Sequence, residues 1–250
     1  MVFDLMINNM PVRAKYSDQN VKEIFLPLLH KLDALQKQKN GRILVMAAAP
    51  PAAGKSTLTK VLACMADGIP GMEKITVVGM DGYHKYQSYL DTHTLFREGE
   101  EILMAKVKGC PETFDIEKLE GKIREVAAGK TGTWPDFDRI KEDPVEDALI
   151  VDSDIVLLEG NYLLLNEKGW RDLSKYADYT ISISADQEFL RSRLIDRRVR
   201  AGIPRKDAEE FVDFSDMYNV RMCLRNTMPA DLMLYLESSG EYSILHESGL

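Results

Sequence analysis

One octapeptide, Ala49-Pro50-Pro51-Ala52-Ala53-Gly54-Lys55-Ser56, constrains the fold of this chain more than any other stretch. It matches the phosphate-binding pattern Gly-x-x-x-x-Gly-Lys-[Ser/Thr] at every defining position except the first, where Ala49 stands in place of glycine. Such a loop joins a strand to a helix, because N–H groups at the helix N-terminus and the lysine ammonium together bind a polyphosphate. The octapeptide therefore predicts a strand, a loop and a helix in that order, with a nucleoside triphosphate as ligand.

The residues on either side have the composition that this arrangement needs. Residues 42–46 form a short apolar run typical of a buried strand, and residues 56–66 carry apolar side chains at helical spacing. Lys55 supplies a positive charge, and Ser56 offers a hydroxyl to Mg²⁺. Ala49 has a Cβ where the pattern has none, so we expect it to limit how the strand turns into the loop. A proline-alanine turn before an ordinary helix is the weaker interpretation.

Composition narrows the class of protein. The chain has 250 residues, a mass of 28.3 kDa and 45% hydrophobic residues, which suits one α/β domain with additions. Its 32 Lys and Arg residues against 40 Asp and Glu residues give a net charge of −8 and a pI near 5.2. A chain this acidic is disfavoured as a general binder of nucleic acids or anionic membranes.

Neither the start of the chain nor its cysteines indicate export. Residues 1–10 are short and carry Asp4 instead of a basic start, so they do not predict a signal peptide, and no apolar run approaches membrane-spanning length. The odd number of cysteines and the lack of a Cys-x-x-Cys pair fit a reducing cytoplasm. The cysteines are Cys64, Cys110 and Cys223. The histidines, which show no zinc spacing, are His30, His84, His93 and His246.

The first 40 residues predict a hairpin followed by a helix. Residues 2–7 and 10–15 flank Asn8-Asn9, a turn pair that tolerates positive φ. Ser17 is a typical N-cap for the amphipathic helix that follows. Pro27 falls inside this helix and should kink it or divide it in two. We expect these elements to pack on the core formed by the rest of the chain.

From residue 41 to residue 250, strands alternate with helices. Further strands are expected at residues 75–80, 155–158 and 178–184, with residues 230–237 and 242–246 closing the sheet. Helices are expected at residues 113–128, 186–200 and 204–225. This alternation predicts an α/β fold with a mainly parallel sheet and helices on both faces.

Two carboxylates follow strands of the predicted sheet. Asp81 comes after the run that ends at Met80, and Glu159 comes after residues 155–158. Because ligands of parallel α/β sheets bind beyond the carboxyl ends of the strands, both side chains are candidates for the site. A kinase needs one carboxylate to orient and deprotonate the acceptor hydroxyl and another near Mg²⁺. Either residue alone is weak evidence, because a carboxylate after a strand is more often an N-cap or a solvated loop residue.

Residues 191–206 form a basic segment in an otherwise acidic chain. Arg193, Arg197 and Arg200 stand at i, i+4 and i+7 and therefore share one helical face. Phosphoryl transfer needs positive charge over the transferred group, and a mobile lid would supply that charge while excluding water. A solvated basic face is the alternative. The basic residues of the segment are Arg191, Arg193, Arg197, Arg198, Arg200, Arg205 and Lys206.

At this point the chain resembles the superfamily of uridine kinase, bacterial pantothenate kinase and phosphoribulokinase, above all its bacterial branch of nucleoside, nucleotide or fructose transport system kinases. The resemblance covers residues 42–237 and implies a P-loop NTPase three-layer sandwich with a helical lid. The matching segments are Ala52-Ala53-Gly54-Lys55-Ser56-Thr57, Met80-Asp81-Gly82-Tyr83-His84, Lys108-Gly109-Cys110-Pro111-Glu112-Thr113-Phe114-Asp115, Pro135-Asp136-Phe137-Asp138-Arg139 and Leu158-Glu159-Gly160-Asn161-Tyr162-Leu163-Leu164-Leu165.

The resemblance implies a role for individual residues in an ATP- and Mg²⁺-dependent kinase. Asp81 would be the catalytic base, Lys55 would bind the β and γ phosphates, and Ser56 and Glu159 would serve the metal. The lid arginines would be Arg193 and Arg197. The nucleotide-binding residues would be Ala52, Ala53, Gly54, Lys55, Ser56 and Thr57. The residues of segments that line the acceptor pocket would be Tyr83, His84, Lys108, Phe137, Asp138, Arg139 and Tyr162.

The identity of the acceptor stays open at this stage, since a pyrimidine nucleoside, a ketose, pantothenate or another polyol all offer a hydroxyl. Two other functions are weighed against a kinase: a nucleotide-dependent switch and a non-catalytic regulator. The guanine-reading [Asn/Thr]-Lys-x-Asp motif of GTPase switches does not occur in the sequence. A homodimer is neither required nor excluded by the sequence.

Overall fold

The computed structural model describes residues 1–7, 10–139 and 141–248. The strands are β1 Val2–Ile7, β2 Met10–Lys15, β3 Ile43–Ala48, β4 Ile75–Gly79, β5 Thr94–Arg97, β6 Glu100–Leu103, β7 Gly132–Asp138, β8 Asp143–Val151, β9 Ile155–Gly160, β10 Tyr179–Ala185, β11 Leu232–Leu236 and β12 Tyr242–Glu247.

In the described part of the chain, two helices contain a π-helical turn. The helices are α1 (Asp18–Asn20, the π turn Val21–Phe25 and Leu26–Lys39), α2 Lys55–Ala66, α3 Gln87–Leu90, α4 Ile116–Ala127, α5 Gln187–Arg200 and α6 (Arg205–Phe211, the π turn Val212–Asp216 and Met217–Asn226). Short 3₁₀ turns are Met80–Tyr83, Met104–Val107, Pro111–Thr113 and Arg171–Tyr176.

The central sheet has six strands in the order β12-β11-β10-β3-β9-β4. All neighbouring pairs are parallel except β12, which is antiparallel to β11 at one edge. β3, the strand before the phosphate-binding loop, lies in the interior between β10 and β9. Its carboxyl end is therefore beside those of its neighbours, where parallel α/β sheets bind ligands.

Helices cover both faces of this sheet, which confirms the predicted α/β architecture. Successive side chains of β3 point to opposite faces: Val45 belongs to a core with α1 and α2, whereas Leu44 and Met46 belong to a second core with α4. A strand buried on both faces must be apolar throughout. This is why residues 43–48 contain no polar side chain.

The N-terminal hairpin and helix are present. β1 and β2 pair antiparallel, while the predicted turn pair Asn8-Asn9 lies outside the described residues. The Ser17 hydroxyl caps the helix by accepting from the Asn20 N–H at 3.1 Å. Pro27 follows the π turn and lies in the first turn of the α-helical part, where its missing N–H is tolerated. The helix ends at Asn40, whose φ is 53°.

Helix α1 packs into the same core as the phosphate-loop domain. Phe25, Leu29 and Leu32 are fully buried, and all three belong to the cluster that includes the inner strands. The Asn20 amide exchanges two hydrogen bonds of 2.8 Å with the backbone of Tyr242 at the start of β12. The N-terminal segment thereby supports β12, the edge strand whose Tyr242 hydroxyl lies close to Gly54 of the loop.

Two further hairpins were not among the predicted elements. β5 pairs with β6, and β7 pairs with β8, both antiparallel. β7 contains Pro135, and its register with β8 shifts between Trp134 and Asp136. A proline and a bulge remove the regular alternation that marks a strand, so residues 132–138 carry no periodic strand signal.

No helix among residues 1–7, 10–139 and 141–248 has the length and apolar character needed to cross a membrane.

Candidate active site

The phosphate-binding loop joins β3 to α2 through two left-handed backbone positions. Ala52 has a φ of 64° and Gly54 a φ of 82°. A Cβ on Gly54 would come within 3.1 Å of the Tyr242 hydroxyl, so β12 encloses the loop from one side. The helix begins at Lys55, and N–H groups of a first helical turn have no acceptor within the helix. Such groups, together with the helix dipole, favour binding of an anion.

Ala49, which departs from the glycine pattern, does not need the freedom of glycine. Within the loop, positive φ values occur at Ala52 and Gly54 and not at Ala49, as far as the described residues go. The Ala49 side chain is buried, and its N–H donates to the Gly160 carbonyl at 3.3 Å. The restriction expected at Ala49 is therefore absent, because the sharp turn of the backbone comes three residues later.

Ser56, Lys55 and Glu159 meet where the loop approaches β9. The Ser56 hydroxyl donates to Glu159 Oε1 at 2.7 Å, and Lys55 Nζ lies 3.9 Å from Glu159 Oε2. Burial raises the pKa of Glu159, and the charge of Asp81 adds to this rise, whereas Lys55 and the hydrogen bond from Ser56 oppose it. Asp81, just after β4, and Glu159, near the end of β9, are thus close enough to influence one another.

These oxygen atoms fit a magnesium ion that is shared with phosphates. No group of three or more His, Cys, Asp or Glu side chains gathers as a metal cage in the described part of the chain. Mg²⁺ does not require one, because it is usually held by one or two protein ligands together with phosphate oxygens and water. Ser56 and Glu159, beside the loop, have the hard oxygen donors that the ion prefers.

Asp81 occupies the 3₁₀ turn after β4 and is surrounded by cations. Its Oδ2 lies 3.2 Å from Arg139 Nη2. Burial alone would raise the pKa of the Asp81 carboxyl, but His84, Arg139, Lys55 and Arg197 lower it below its usual range. Asp81 is therefore ionised at neutral pH and can accept a hydrogen bond from a hydroxyl group.

Strand β7 fixes the turn that carries Asp81. Gly82 faces the backbone of Pro135 so closely that a Cβ would collide with its carbonyl group. One residue earlier, Trp134 Nε1 donates to the Gly79 carbonyl at 2.8 Å. The β7–β8 hairpin thus clamps the turn on both sides of Asp81 and brings Arg139, just beyond β7, to its carboxylate.

His84 continues the site on the acceptor side. Its ring packs between Phe114 and Phe137, with centroid distances of 4.0 and 4.8 Å. Burial lowers the pKa of His84 more than the charge of Asp81 raises it, so the ring is neutral at pH 7. Nδ1 lies 2.8 Å from the Asp81 carbonyl oxygen, which can only accept, so the proton is on Nδ1 and Nε2 is an acceptor.

The remaining predicted acceptor residues serve different purposes. Lys108 lies over the Phe137 ring and donates to Gln87 Oε1 at 2.7 Å and to the Glu142 carbonyl. The Tyr162 hydroxyl donates to the Gly109 carbonyl at 2.6 Å. Asp138 accepts from the Lys141 N–H at 3.1 Å in the loop after β7. These three side chains thus make hydrogen bonds to neighbouring segments of the protein.

Tyr83 belongs to another side of the structure. Its ring packs edge-on against Trp134 at 5.1 Å, and it lines a cavity of about 490 Å³ between α4 and the β7–β8 hairpin. Lys118 and Lys122 line the same cavity together with acidic side chains, and their ammonium groups pair with Glu146 and Glu125. The structure therefore does not bring the Tyr83 ring to the Asp81 carboxylate.

Two arginines of α5 lie near different parts of the site. Arg193 Nη2 lies 3.9 Å from the position that a Cβ on Gly54 would occupy, beside the loop. Burial lowers the pKa of Arg197, and the positive charge of Arg139 lowers it further. The negative charges of Asp216 and Asp81 act in the opposite direction and raise it. Arg193 is thus near the phosphate-binding loop, and Arg197 is near the carboxylate that follows β4.

Most of the other basic residues in this segment are paired with acidic residues of α6. Arg191 makes two hydrogen bonds to Asp213, of 2.6 and 2.7 Å, and Arg198 Nε donates to Asp216 at 3.1 Å. Arg200 is exposed and donates to the backbone. Helical spacing alone placed Arg200 with Arg193 and Arg197, but its contacts are with its own helix.

Sequence reasoning missed Tyr242 and Trp134, which hold the loop and the Asp81 turn. Tyr242 is distant in sequence, and no local pattern marks it. Trp134 directly precedes the Pro135–Arg139 segment, and a buried tryptophan whose N–H needs a partner is a usable signal.

The comparisons with known proteins agree with this geometry. Residues 44–205 match the model of the "Phosphoribulokinase / Uridine kinase family". Over 243 residues, the chain is 40% identical to "Uncharacterized protein YggC" of Escherichia coli (strain K12), covering 97% of this chain and 98% of that protein. It is 30% identical over 199 residues to "Putative uridine kinase C227.14" of Schizosaccharomyces pombe, covering 77% and 83%.

A solved structure shows the same fold. The "putative fructose transport system kinase" from Silicibacter sp. TM1040 superposes with a TM-score of 0.68 at 31% sequence identity, covering 81% of this chain and 98% of that one. The family model spans most of the elements that build the site, from β3 to the start of α6. The chain therefore belongs to the phosphoribulokinase/uridine kinase family and is a kinase, a phosphotransferase with a hydroxyl acceptor.

Proposed function

We propose that this protein transfers the γ-phosphoryl group of ATP to a hydroxyl group of a small metabolite, such as a nucleoside, a sugar or a pantothenate-like compound, with Asp81 as the base. The observation that carries the proposal is the position of an ionised Asp81 among Arg139, Lys55 and Arg197, beside the phosphate-binding loop. A carboxylate in this place can hold an acceptor hydroxyl in line with the phosphate.

The donor side of the reaction rests on the loop backbone and Lys55. Residues 52–57 would bind the phosphates, with Ser56 and Glu159 as the protein ligands of Mg²⁺. When bound, Mg²⁺ neutralises phosphate charge. Lys55 already contacts Glu159 at 3.9 Å and can exchange this partner for phosphate oxygens.

On the acceptor side, Asp81 would accept the hydroxyl proton. Its lowered pKa makes it a weak base, so its main task is to orient the nucleophile and to take the proton as the bond to phosphorus forms. The neutral His84 offers Nε2 as an acceptor to the same substrate. Arg193 and Arg197 would stabilise the charge of the transferred group, a contribution of roughly 10³ to 10⁵ in rate in related chemistry.

Residues 191–206 would act as a lid. Arg191 and Arg198 tie α5 to α6 through Asp213 and Asp216, so the two helices would move together. Residues 1–40 would act as a support of the loop through Tyr242. A protein that uses ATP and has three free thiols suits the cytoplasm.

The test is a screen of purified protein with ATP and Mg²⁺ against nucleosides, sugars, sugar derivatives and vitamins, followed by ADP formation and by ³¹P detection of the product. We expect one class to stimulate ADP formation at least roughly 100-fold over the acceptor-free rate, since water is excluded from such sites. Slow hydrolysis that no small molecule stimulates would contradict the proposal and favour a nucleotide-dependent switch.

A further inference from the structure

A group of buried polar atoms beside the proposed site has no hydrogen-bond partner within the protein. Within the described residues, such side-chain atoms include Arg97 Nη2, Asn161 Oδ1, Ser215 Oγ and Asn219 Oδ1. Ser215 is fully buried, Asn219 is 2% exposed and Arg97 is 9% exposed. Because a buried polar group without a partner costs more than a typical hydrogen bond contributes, several of them in one region require an explanation.

These four residues come from three parts of the chain but lie in one region. Arg97, at the end of β5, stacks on the Tyr218 ring of α6 at 3.8 Å from Cζ to the centroid. Asn219 follows Tyr218, and Ser215 precedes Asn219 by one helical turn, so both share a face of α6. The Asn219 amide nitrogen lies 4.0 Å from the position that a Cβ on Gly109 would occupy.

The same face of α6 connects this region to Asn161 and to the proposed catalytic site. Cys223, one turn after Asn219, donates to the Asn161 carbonyl at 3.5 Å. Tyr162 donates to Gly109, and its ring lies 5.8 Å from Phe114, which contacts His84. The buried Cys223 thiol has its pKa raised to about 12 by burial, against the opposing charge of Lys55. The region is therefore connected to His84 through Tyr162 and Phe114, and Cys223 at its end is close enough to Lys55 for that charge to act on it.

The charge of Arg97 decides which ligand fits. In the described part of the chain, no carboxylate lies within 4.0 Å of its guanidinium group, unlike Arg191 and Arg198 of α5. Stacking on Tyr218 uses the face of the guanidinium group, whereas its N–H donors lie in its plane and need acceptors of their own. The amide oxygens of Asn161 and Asn219 need hydrogen-bond donors, and the Ser215 hydroxyl can either donate or accept.

We propose that Arg97, Asn161, Ser215 and Asn219 form the acceptor-recognition pocket of this enzyme, and that its acceptor is a hydroxyl-rich anion whose acidic group binds Arg97. Hydroxyl groups of the ligand donate to the amide oxygens of Asn161 and Asn219, and another hydroxyl faces Asp81 for phosphorylation. The anion is a carboxylate, as in a sugar acid, or a phosphate, as in a sugar phosphate. This inference rests on the proposed kinase function.

The first experiment compares acceptors that differ only in the acidic group. Aldonates of four to six carbons are tested against the alditols of the same carbon skeleton, and pentose and hexose phosphates against the free sugars, by ADP formation and by ligand-induced shifts in thermal unfolding. We expect kcat/KM for the best anion to exceed that of its neutral counterpart at least roughly 100-fold, because a desolvated charge pair is lost without the acid. The aldonate and phosphate arms distinguish the two acids.

The second experiment tests the residues. In Arg97→Gln, we expect KM for the anionic acceptor to rise roughly 100-fold while KM for ATP changes less than about twofold. Asn219→Asp places a negative charge next to Tyr218, on which Arg97 stacks, and should weaken binding of the anionic acceptor similarly, which keeps the test valid if Arg97→Gln does not fold. Lys106, an exposed cation of the 3₁₀ turn Met104–Val107, provides the control variant Lys106→Gln, whose KM for the anionic acceptor should not change.

The outcomes separate this inference from the proposed function. Equal use of anions and their neutral counterparts, or anion binding that neither variant weakens, would overturn the pocket assignment while leaving the kinase reaction intact. Anion binding that depends on Arg97 without any ADP formation would support the pocket and contradict the kinase. If no aldonate or sugar phosphate shifts thermal unfolding or forms ADP, the inference is wrong.

Discussion

The two halves of the proposed site are built in different ways. The donor half consists of one continuous segment, residues 49–57, whose backbone supplies most of the binding groups. The acceptor half consists of side chains from the ends of β4, β5, β7 and β9 and from α6. A backbone site tolerates substitution of its side chains, whereas a side-chain site changes its ligand when one residue changes. We therefore expect the nucleotide donor to be shared within the family and the acceptor to be particular to the chain.

The largest loss of activity is expected from removing a positive charge where the donor and acceptor halves meet. Arg197→Met should lower kcat by roughly 10³, because Arg197 lies near Asp81 and its charge would act on the transferred phosphoryl group. The matched control is Arg200→Met on the same helix, whose side chain is exposed and should leave kcat within about twofold. Steady-state kinetics of both variants measure this difference. Equal losses would show that the basic face acts through its net charge alone.

A defect confined to the donor half is expected from Gly54→Ala. The alanine would have to adopt a φ of 82° and would place its Cβ 3.1 Å from the Tyr242 hydroxyl. Strain of about 1–3 kcal/mol corresponds to ATP binding weakened by roughly 5- to 150-fold. Calorimetric titration with ATP measures the loss, and Tyr242→Phe in the same chain should recover part of it. An acceptor KM that rises in parallel would contradict the separation of the halves.

The pH dependence distinguishes the two carboxylates. The pKa of Asp81 is lowered, so it stays ionised on acidification, whereas the pKa of Glu159 is raised, so it takes up a proton first. We expect kcat/KM to fall about tenfold per pH unit below the raised pKa of Glu159. Higher Mg²⁺ concentrations should move this acid limb to lower pH, because the cation competes with the proton. If the acid limb of kcat/KM does not move with the Mg²⁺ concentration, protonation of Glu159 is not its cause.

The smallest effect is expected from restoring the glycine of the phosphate-loop pattern. Ala49→Gly should leave ATP affinity within about twofold, because the backbone at Ala49 does not use a positive φ. The free energy of unfolding should fall by about 1 kcal/mol, since a buried methyl group is lost and glycine is more flexible in the unfolded chain. Chemical denaturation and ATP titration together test this. A clear gain in ATP affinity would mean that Ala49 does restrict the loop.

The sequence predicted the donor half and the sheet because both depend on local patterns. The loop motif spans eight residues, and the inner strands are apolar runs buried on both faces. Asp81 and Glu159 were predicted together because carboxyl ends of parallel strands share one edge. Arg97, Asn219 and Tyr242 were not found, since their positions depend on contacts between distant segments. Tyr83 shows the opposite difficulty: it lies in a matching segment, yet its ring packs against Trp134.

In the proposed mechanism, Asp81 acts on the acceptor and not on ATP. The most direct measurement is Asp81→Asn, with ATP affinity determined by calorimetry and transfer determined with the best acceptor from the screen. We predict that transfer falls by at least roughly 10³ while the Kd for ATP changes less than about threefold, since the amide keeps the shape but loses the charge and the proton-accepting function. Loss of ATP affinity in parallel with transfer, or transfer that persists, would contradict the account.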